Sequence, residues 1–105
     1  MTAFELFFGR SISGGGEVSE TAWDDFLARV ITPNLPSGYT VFDATGAWLN
    51  PATNRMARER TKVLLAVVPD APARTGAIAR IRRAYQQRFH QFSVGIMEMP
   101  VCAAF

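Results

Sequence analysis

The side chains able to do chemistry in this chain are few and scattered. Arg10 closes an aromatic run, Ala3-Phe4-Glu5-Leu6-Phe7-Phe8-Gly9, and Arg60 follows Glu59 near the middle of the chain. A guanidinium presents its donors in a planar fork that fits a carboxylate or phosphate, so Arg10 and Arg60 together suggest a small anionic ligand. Backbone N–H groups at the start of a helix after Gly14-Gly15-Gly16 would add donors, with Trp48 lying over the ligand as a lid. In the competing reading both arginines pair with Glu59 or Asp43 and fasten a hairpin. His90, the only histidine, is a candidate general base near neutral pH, although a cation at a helix end also suits the helix dipole. Cys102 lies in an apolar tail with no basic neighbour and reads as a packed, inert thiol.

Other motifs point nowhere specific. The three glycines lack the Gly-Lys-Ser/Thr ending of a phosphate loop, and no nucleophile elbow appears. One histidine, one cysteine and dispersed carboxylates make no metal-ligand cluster, so no metal and no cofactor is expected. Arg80, Arg82, Arg83 and Arg88 give one predicted helix a basic face, which reads as solvated. The formal net charge is only +2, so nucleic acid is not an expected partner.

The elements that must position these residues fit one domain spanning all 105 residues. With 49% hydrophobic and 19% charged residues, the chain has the material for a core. A single cysteine excludes an internal disulfide, and no stretch reaches the roughly 20 apolar residues of a membrane span. As given, the chain reads as cytoplasmic; a leader removed before Met1 would make it secreted or periplasmic.

The aromatic run is too short for a buried helix and reads as a strand. A helix should start after Ser19, with Val18 and Trp23 spaced as a hydrophobic staple and Trp23, Phe26, Leu27 and Val30 on one face. Thr32-Pro33 should end it. Tyr39–Ala44 reads as a strand, Thr45–Arg58 as a long hairpin connection, and Thr61–Val68 as a central strand buried on both faces. Pro69-Asp70-Ala71-Pro72 breaks that strand. A second helix from about Ala73 to His90 carries Ile78, Ile81, Tyr85 and Phe89 on one stripe, and Phe92–Met99 is a last strand.

This order is the ferredoxin-like βαββαβ pattern: an α+β fold in which a four-stranded antiparallel sheet carries both helices on one face. The opposite face would expose Phe7, Met97, part of Val63–Val68 and one side of Tyr39–Phe42. That is too much apolar surface for a monomer, which predicts a homodimer pairing these faces. The same topology makes Arg10, the glycine loop, Trp48, Asn50, Arg55, Glu59, Arg60 and His90 candidates for one neighbourhood.

Several separated stretches carry a resemblance that spans nearly the whole chain: Glu5-Leu6-Phe7-Phe8-Gly9-Arg10, Trp23-Asp24-Asp25-Phe26, Thr32-Pro33 to Pro36-Ser37-Gly38-Tyr39-Thr40-Val41, Gly46-Ala47-Trp48, Arg58-Glu59-Arg60-Thr61-Lys62, and Tyr85-Gln86-Gln87-Arg88-Phe89 to Cys102 and Phe105. In these the chain resembles a bacterial family known as domain of unknown function thirty-five seventy-four. The resemblance implies a small α+β domain with no established activity, in a family whose members often carry a leader. It also draws attention to Arg10, Trp48, Glu59 and Arg60. Three functions fit: a dimeric module for a small anionic ligand, a dimeric α+β barrel enzyme with Glu59 or His90 moving a proton, or a structural interaction domain.

Overall fold

The aromatic run forms β1 (Thr2–Gly9) in the computed structural model of the chain, which describes residues 1–71 and 73–105. Pro72, the last residue of the expected strand break, lies outside the described residues. The following elements are α1 (Glu20–Phe26), a π-helical turn (Leu27–Ile31), α2 (Thr32–Asn34), β2 (Thr40–Asn50), β3 (Arg55–Val68), α3 (Ala73–Phe89) and β4 (Gly95–Pro100). All pairings are antiparallel and the strand order is β2-β3-β1-β4. The fold is therefore the expected α+β arrangement, with β1 and β3 in the middle.

Alternation along β1 divides the molecule. Phe4, Leu6 and Phe8 are buried with α1 and α3 on one face, where Leu6 pairs with Leu64 and Ile96. Phe8 enters an aromatic cluster with Trp23, Phe26 and Tyr85, its ring centroids 4.9–6.2 Å from theirs. Burying each such side chain is worth about 1.5–3 kcal/mol, so this cluster is the main attachment of both helices to the sheet. Ser19 caps α1, its Oγ accepting the Ala22 N–H at 3.0 Å, and the staple residues Val18 and Trp23 are both buried.

Four expectations need correction. The first helical arm does not stop at Pro33 but continues through α2. A π turn carries the helix across the proline: the Thr32 N–H reaches back to Leu27 O, Thr32 Oγ1 donates to the same carbonyl at 3.0 Å, and Asn34 Nδ2 donates to Val30 O at 2.8 Å. The wider turn also moves the buried stripe, so Ile31 is fully buried while Leu27 and Val30 only border the core.

The segment Thr45–Arg58 is not a loop. Its residues extend β2 and β3 into a two-stranded ribbon running past the end of β1, with Thr45 opposite Arg60 and Asn50 opposite Arg55. Only Pro51–Asn54 turns. Asn50 closes that turn twice, its Oδ1 accepting from Ala52 N at 2.9 Å and its carbonyl from Asn54 N at 2.8 Å.

Strand β3 is not buried on both faces. Leu64 is buried on the helix side and Val63 on the open side, but Leu65, also on the open side, is 40% exposed, so burial of that face does not extend along the whole strand. Finally, β4 begins at Gly95, and Phe92, expected in the strand, is exposed.

Candidate functional site

Alternation also sorts the candidate residues, and it separates them. Cross-strand partners share a face, so the register puts Asp43, Thr45, Arg60 and Lys62 on the helix side, and Gly46, Trp48, Glu59 and Thr61 on the open side. Arg10, the first residue past β1, donates its N–H to Arg60 O at 3.0 Å and lies on the helix side with it.

Arg10 is 2% exposed. Its Nε and Nη2 donate to Val18 O at 3.0 and 2.8 Å, and its Nη1 lies 3.0 Å from Glu20. Arg60 donates its Nε to Glu17 at 3.0 Å, and Lys62 Nζ bonds both oxygens of Glu20, at 2.9 and 3.0 Å, and also Asp43. Three cations are thus matched by three carboxylates. The hydrogen bond from Arg60 holds the Glu17 carboxyl below its usual range, and the one from Lys62 does the same for Asp43. Burial acts to lower the Lys62 pKa, but hydrogen bonds to Asp43 and Glu20 outweigh it and leave the value raised. The arginines do fasten the hairpin, though to Glu17, before α1, and Glu20, its first residue, rather than to Glu59 or Asp43.

The glycine loop serves the same fastening. Gly14, Gly15 and Gly16 have φ of 94°, 122° and 86°, which lets the chain turn so that Ser11 bridges Glu17 and Val18 N reaches Arg10 O at 2.7 Å.

Glu59 is placed differently. Its carboxylate lies over Gly9, where an added Cβ would come within 2.6 Å of Oε1, so a side chain at position 9 would push the carboxylate aside. The Ser11 N–H donates to Oε2 at 3.1 Å. Among the described residues, no Lys, Arg or His forms an ion pair with Glu59. Beside it opens a cleft of about 430 Å³ between Trp48 and the turn after α3, bordered by Ser11, His90, Gln91 and Ser93. A second hollow of about 410 Å³ shares Trp48, Glu59, Gln91 and Ser93 and continues over Phe7 and Gly95 onto the open face.

The far wall is built by the end of α3. His90 has φ 53° and Gln91 N donates to Gln86 O at 3.1 Å, a left-handed helix ending usually given to glycine or asparagine. Gln91 Nε2 donates to Ser11 O at 2.7 Å, tying this wall to the Glu59 side. Tyr85, whose hydroxyl donates to Gly9 O at 2.7 Å, supports the floor from below; burial raises its pKa above the ordinary phenol range.

So Trp48, Glu59 and His90 line one cleft, while Arg10 and Arg60 lie across the sheet from it. Gly9, Ser11, Gln91 and Ser93 were not singled out in the sequence; only Gly9, ending an aromatic strand beside Arg10, offered a signal. Cys102 is exposed, not packed, because the chain after Val101 leaves the sheet. The basic helix face is partly used by the protein itself: Arg82 donates to Val94 O at 3.0 and 2.8 Å, Arg80 to Asn34, and Arg88 to Asp25. Among the described residues, no group of three or more His, Cys, Asp or Glu could hold a metal ion, and no helix is long and apolar enough to cross a membrane.

Two solved structures share the fold. A phage SAM lyase in complex with S-methyl-5′-thioadenosine superposes with a TM-score of 0.73 at 13% identity, covering 93% of this chain and 79% of that one. A phage SAM lyase in the apo state gives 0.66 at 13% identity, over 93% and 78%. No curated protein matches the sequence. Residues 3–105 match the family model described as Protein of unknown function (DUF3574), and the chain belongs to that family.

Proposed function

We propose that the cleft beside Glu59 binds a small molecule carrying a flat ring and a centre of positive charge, and that Glu59 meets the charge. The observation that carries this reading is the Glu59 carboxylate, which takes one backbone N–H, pairs with no cation among the described residues, and stands in a cleft walled by Trp48. A carboxylate accepts about four hydrogen bonds, so it retains capacity for a ligand. The anionic ligand expected from Arg10 and Arg60 has less support, since Glu17 and Glu20 neutralise both. The enzymic alternative, proton transfer at Glu59 or His90, draws on the same cleft.

The fold likeness supplies a probe. S-methyl-5′-thioadenosine, held by the phage enzyme, has the flat ring and a neutral thioether, and SAM adds a positive charge at sulfur. Calorimetric titration should show both binding to the wild type, SAM about tenfold more tightly. Glu59→Gln should abolish that preference, and Trp48→Ala should weaken both. The reading fails if neither compound binds, or if Glu59→Gln keeps the preference.

We also infer that a second copy covers the open face of the sheet. Phe42, Leu65, Met97 and Met99 are each 40–49% exposed on that face, linked through the central strands by their register. Glu5, opposite both Leu65 and Met97, requires such an interface to keep water or a cation at its centre.

A further inference from the structure

Among the described residues, the outer edge of β2 has no neighbour within the sheet. It is eleven residues long and lies at one end of the strand order. The other edge, β4, is six residues long and carries Glu98 and Pro100, a charge and a proline of the kind that keep an edge from pairing. From Thr40 to Asn50, β2 has no proline, and Asp43, which Lys62 already holds, is its only formal charge. A long, unpaired edge whose one charge is already paired is a template for another strand.

The sequence of β2 indicates which strand. Phe42-Asp43-Ala44-Thr45-Gly46-Ala47-Trp48 reads nearly alike from either end, with an aromatic at each end, small residues inside and Thr45 at the centre. Pairing about a two-fold axis needs this self-complementarity, because residue i meets j while j meets i. Centred on Thr45, an antiparallel pair sets Phe42 opposite Trp48 twice, Ala44 opposite Gly46, and Asp43 opposite Ala47, so no like charges meet. Phe42 and Trp48 are 47% and 48% exposed and lie on the same face, where they form a favourable cross-strand aromatic pair.

We propose that β2 pairs antiparallel with β2 of a second copy about Thr45, setting the second copy's Phe42 beside Trp48 at the Glu59 cleft. Only the last clause rests on the cleft being a binding site; the pairing stands or falls on mass. Two isologous contacts, edge and open face, would together close a tetramer with dihedral symmetry.

Sedimentation of the full chain and its variants tests this. Thr45→Lys faces two ammonium groups across the axis and should halve the mass, whatever happens at the open face, with at least about tenfold weaker association. Thr45→Glu should do the same, Thr45→Val should keep the wild-type mass, and an equimolar mixture of the Lys and Glu variants should recover it. A monomeric wild type, an unchanged mass in Thr45→Lys, or a mixture that stays at half mass overturns the proposal. If the masses behave as expected but neither nucleoside binds, the edge pairing stands and the cleft reading falls; nucleoside binding with no mass change shows the reverse.

Discussion

Arg10 and Arg60 look alike in the sequence, yet their surroundings predict very different costs of removal. The Arg10 side chain is 3% exposed and that of Arg60 is 62% exposed. Arg10→Ala strips both donors from Val18 O, leaving a carbonyl short of partners at about 1–3 kcal/mol, and the vacated stem adds a packing loss. Its carboxylate partner Glu20 is 57% exposed and still holds Lys62. No buried charge is therefore stranded, and the cost stays near the lower end of the 3–5 kcal/mol for a broken buried pair. A net loss of about 2–4 kcal/mol lowers the melting temperature of a domain this size by very roughly 10–25 °C. Arg60→Ala should shift it only slightly, since an exposed pair contributes little. Arg10→Lys should not rescue, because an ammonium cannot span Val18 O and Glu20 as the planar fork does. Thermal and urea unfolding of the three variants provide the comparison. Equal losses at positions 10 and 60, or a full rescue by lysine, would refute the assignment of Arg10 as the buried clamp.

Three further outcomes follow from the same geometry. Tyr85→Phe removes the hydroxyl from Gly9 O and should cost about 1–2 kcal/mol in urea unfolding; no loss would show that water replaces it. Leu65→Glu should weaken self-association at the open face without unfolding the chain, seen as a lower sedimentation mass with an unchanged melting temperature after dilution. On acidification, stability should fall. Glu17 and Asp43 have folded pKa values below their ordinary 4.5 and 3.8, so their contribution is present above those values and lost as pH drops through the lower folded ones. At the alkaline end, Lys62 and Tyr85 are raised above 10.5 and 10.0, so their contribution is intact below about pH 10 and lost above it. Melting temperatures flat from pH 5 to 2.5 would contradict the ion-pair assignment.

Much of the fold was legible because hydrophobic periodicity is a local signal. The stripe Ile78, Ile81, Tyr85 and Phe89 and the alternation Phe4, Leu6 and Phe8 each name a buried face, and their order leaves few topologies. Pro33 misled because its effect on a helix depends on whether a π turn and side-chain bonds such as those from Thr32 and Asn34 to the preceding turn can hold the chain helical without the proline N–H. That compensation is tertiary in outcome and carries no simple sequence mark. Gln91 and Ser93 were invisible for a related reason: their place on the cleft wall depends on how α3 ends, with His90 in a conformation more often given to glycine.

The division of the candidate residues was legible in principle, and the hairpin concealed it. Read as a loop, Thr45–Arg58 lets Glu59 and Arg60 reach the same ligand. Read as paired strands, it forbids this, since neighbours along a strand point to opposite faces. The large apolar residues of the ribbon, Trp48, Leu49 and Met56, are few, and Trp48 and Leu49, being adjacent, point to opposite faces, so no hydrophobic alternation announces the strands. The ribbon forms because β3 continues past Thr61 with β2 alone as its partner, and an isolated two-stranded ribbon is only marginally stable. That marginality connects the site to the edge. Trp48 and Glu59 stand side by side on one wall of the cleft only while the ribbon holds its register, and anything that pairs the free edge of β2 steadies that register. Assembly and ligand binding should therefore be coupled, each favouring the other by the same factor: in Thr45→Lys the Glu59 cleft keeps its side chains but should bind more weakly.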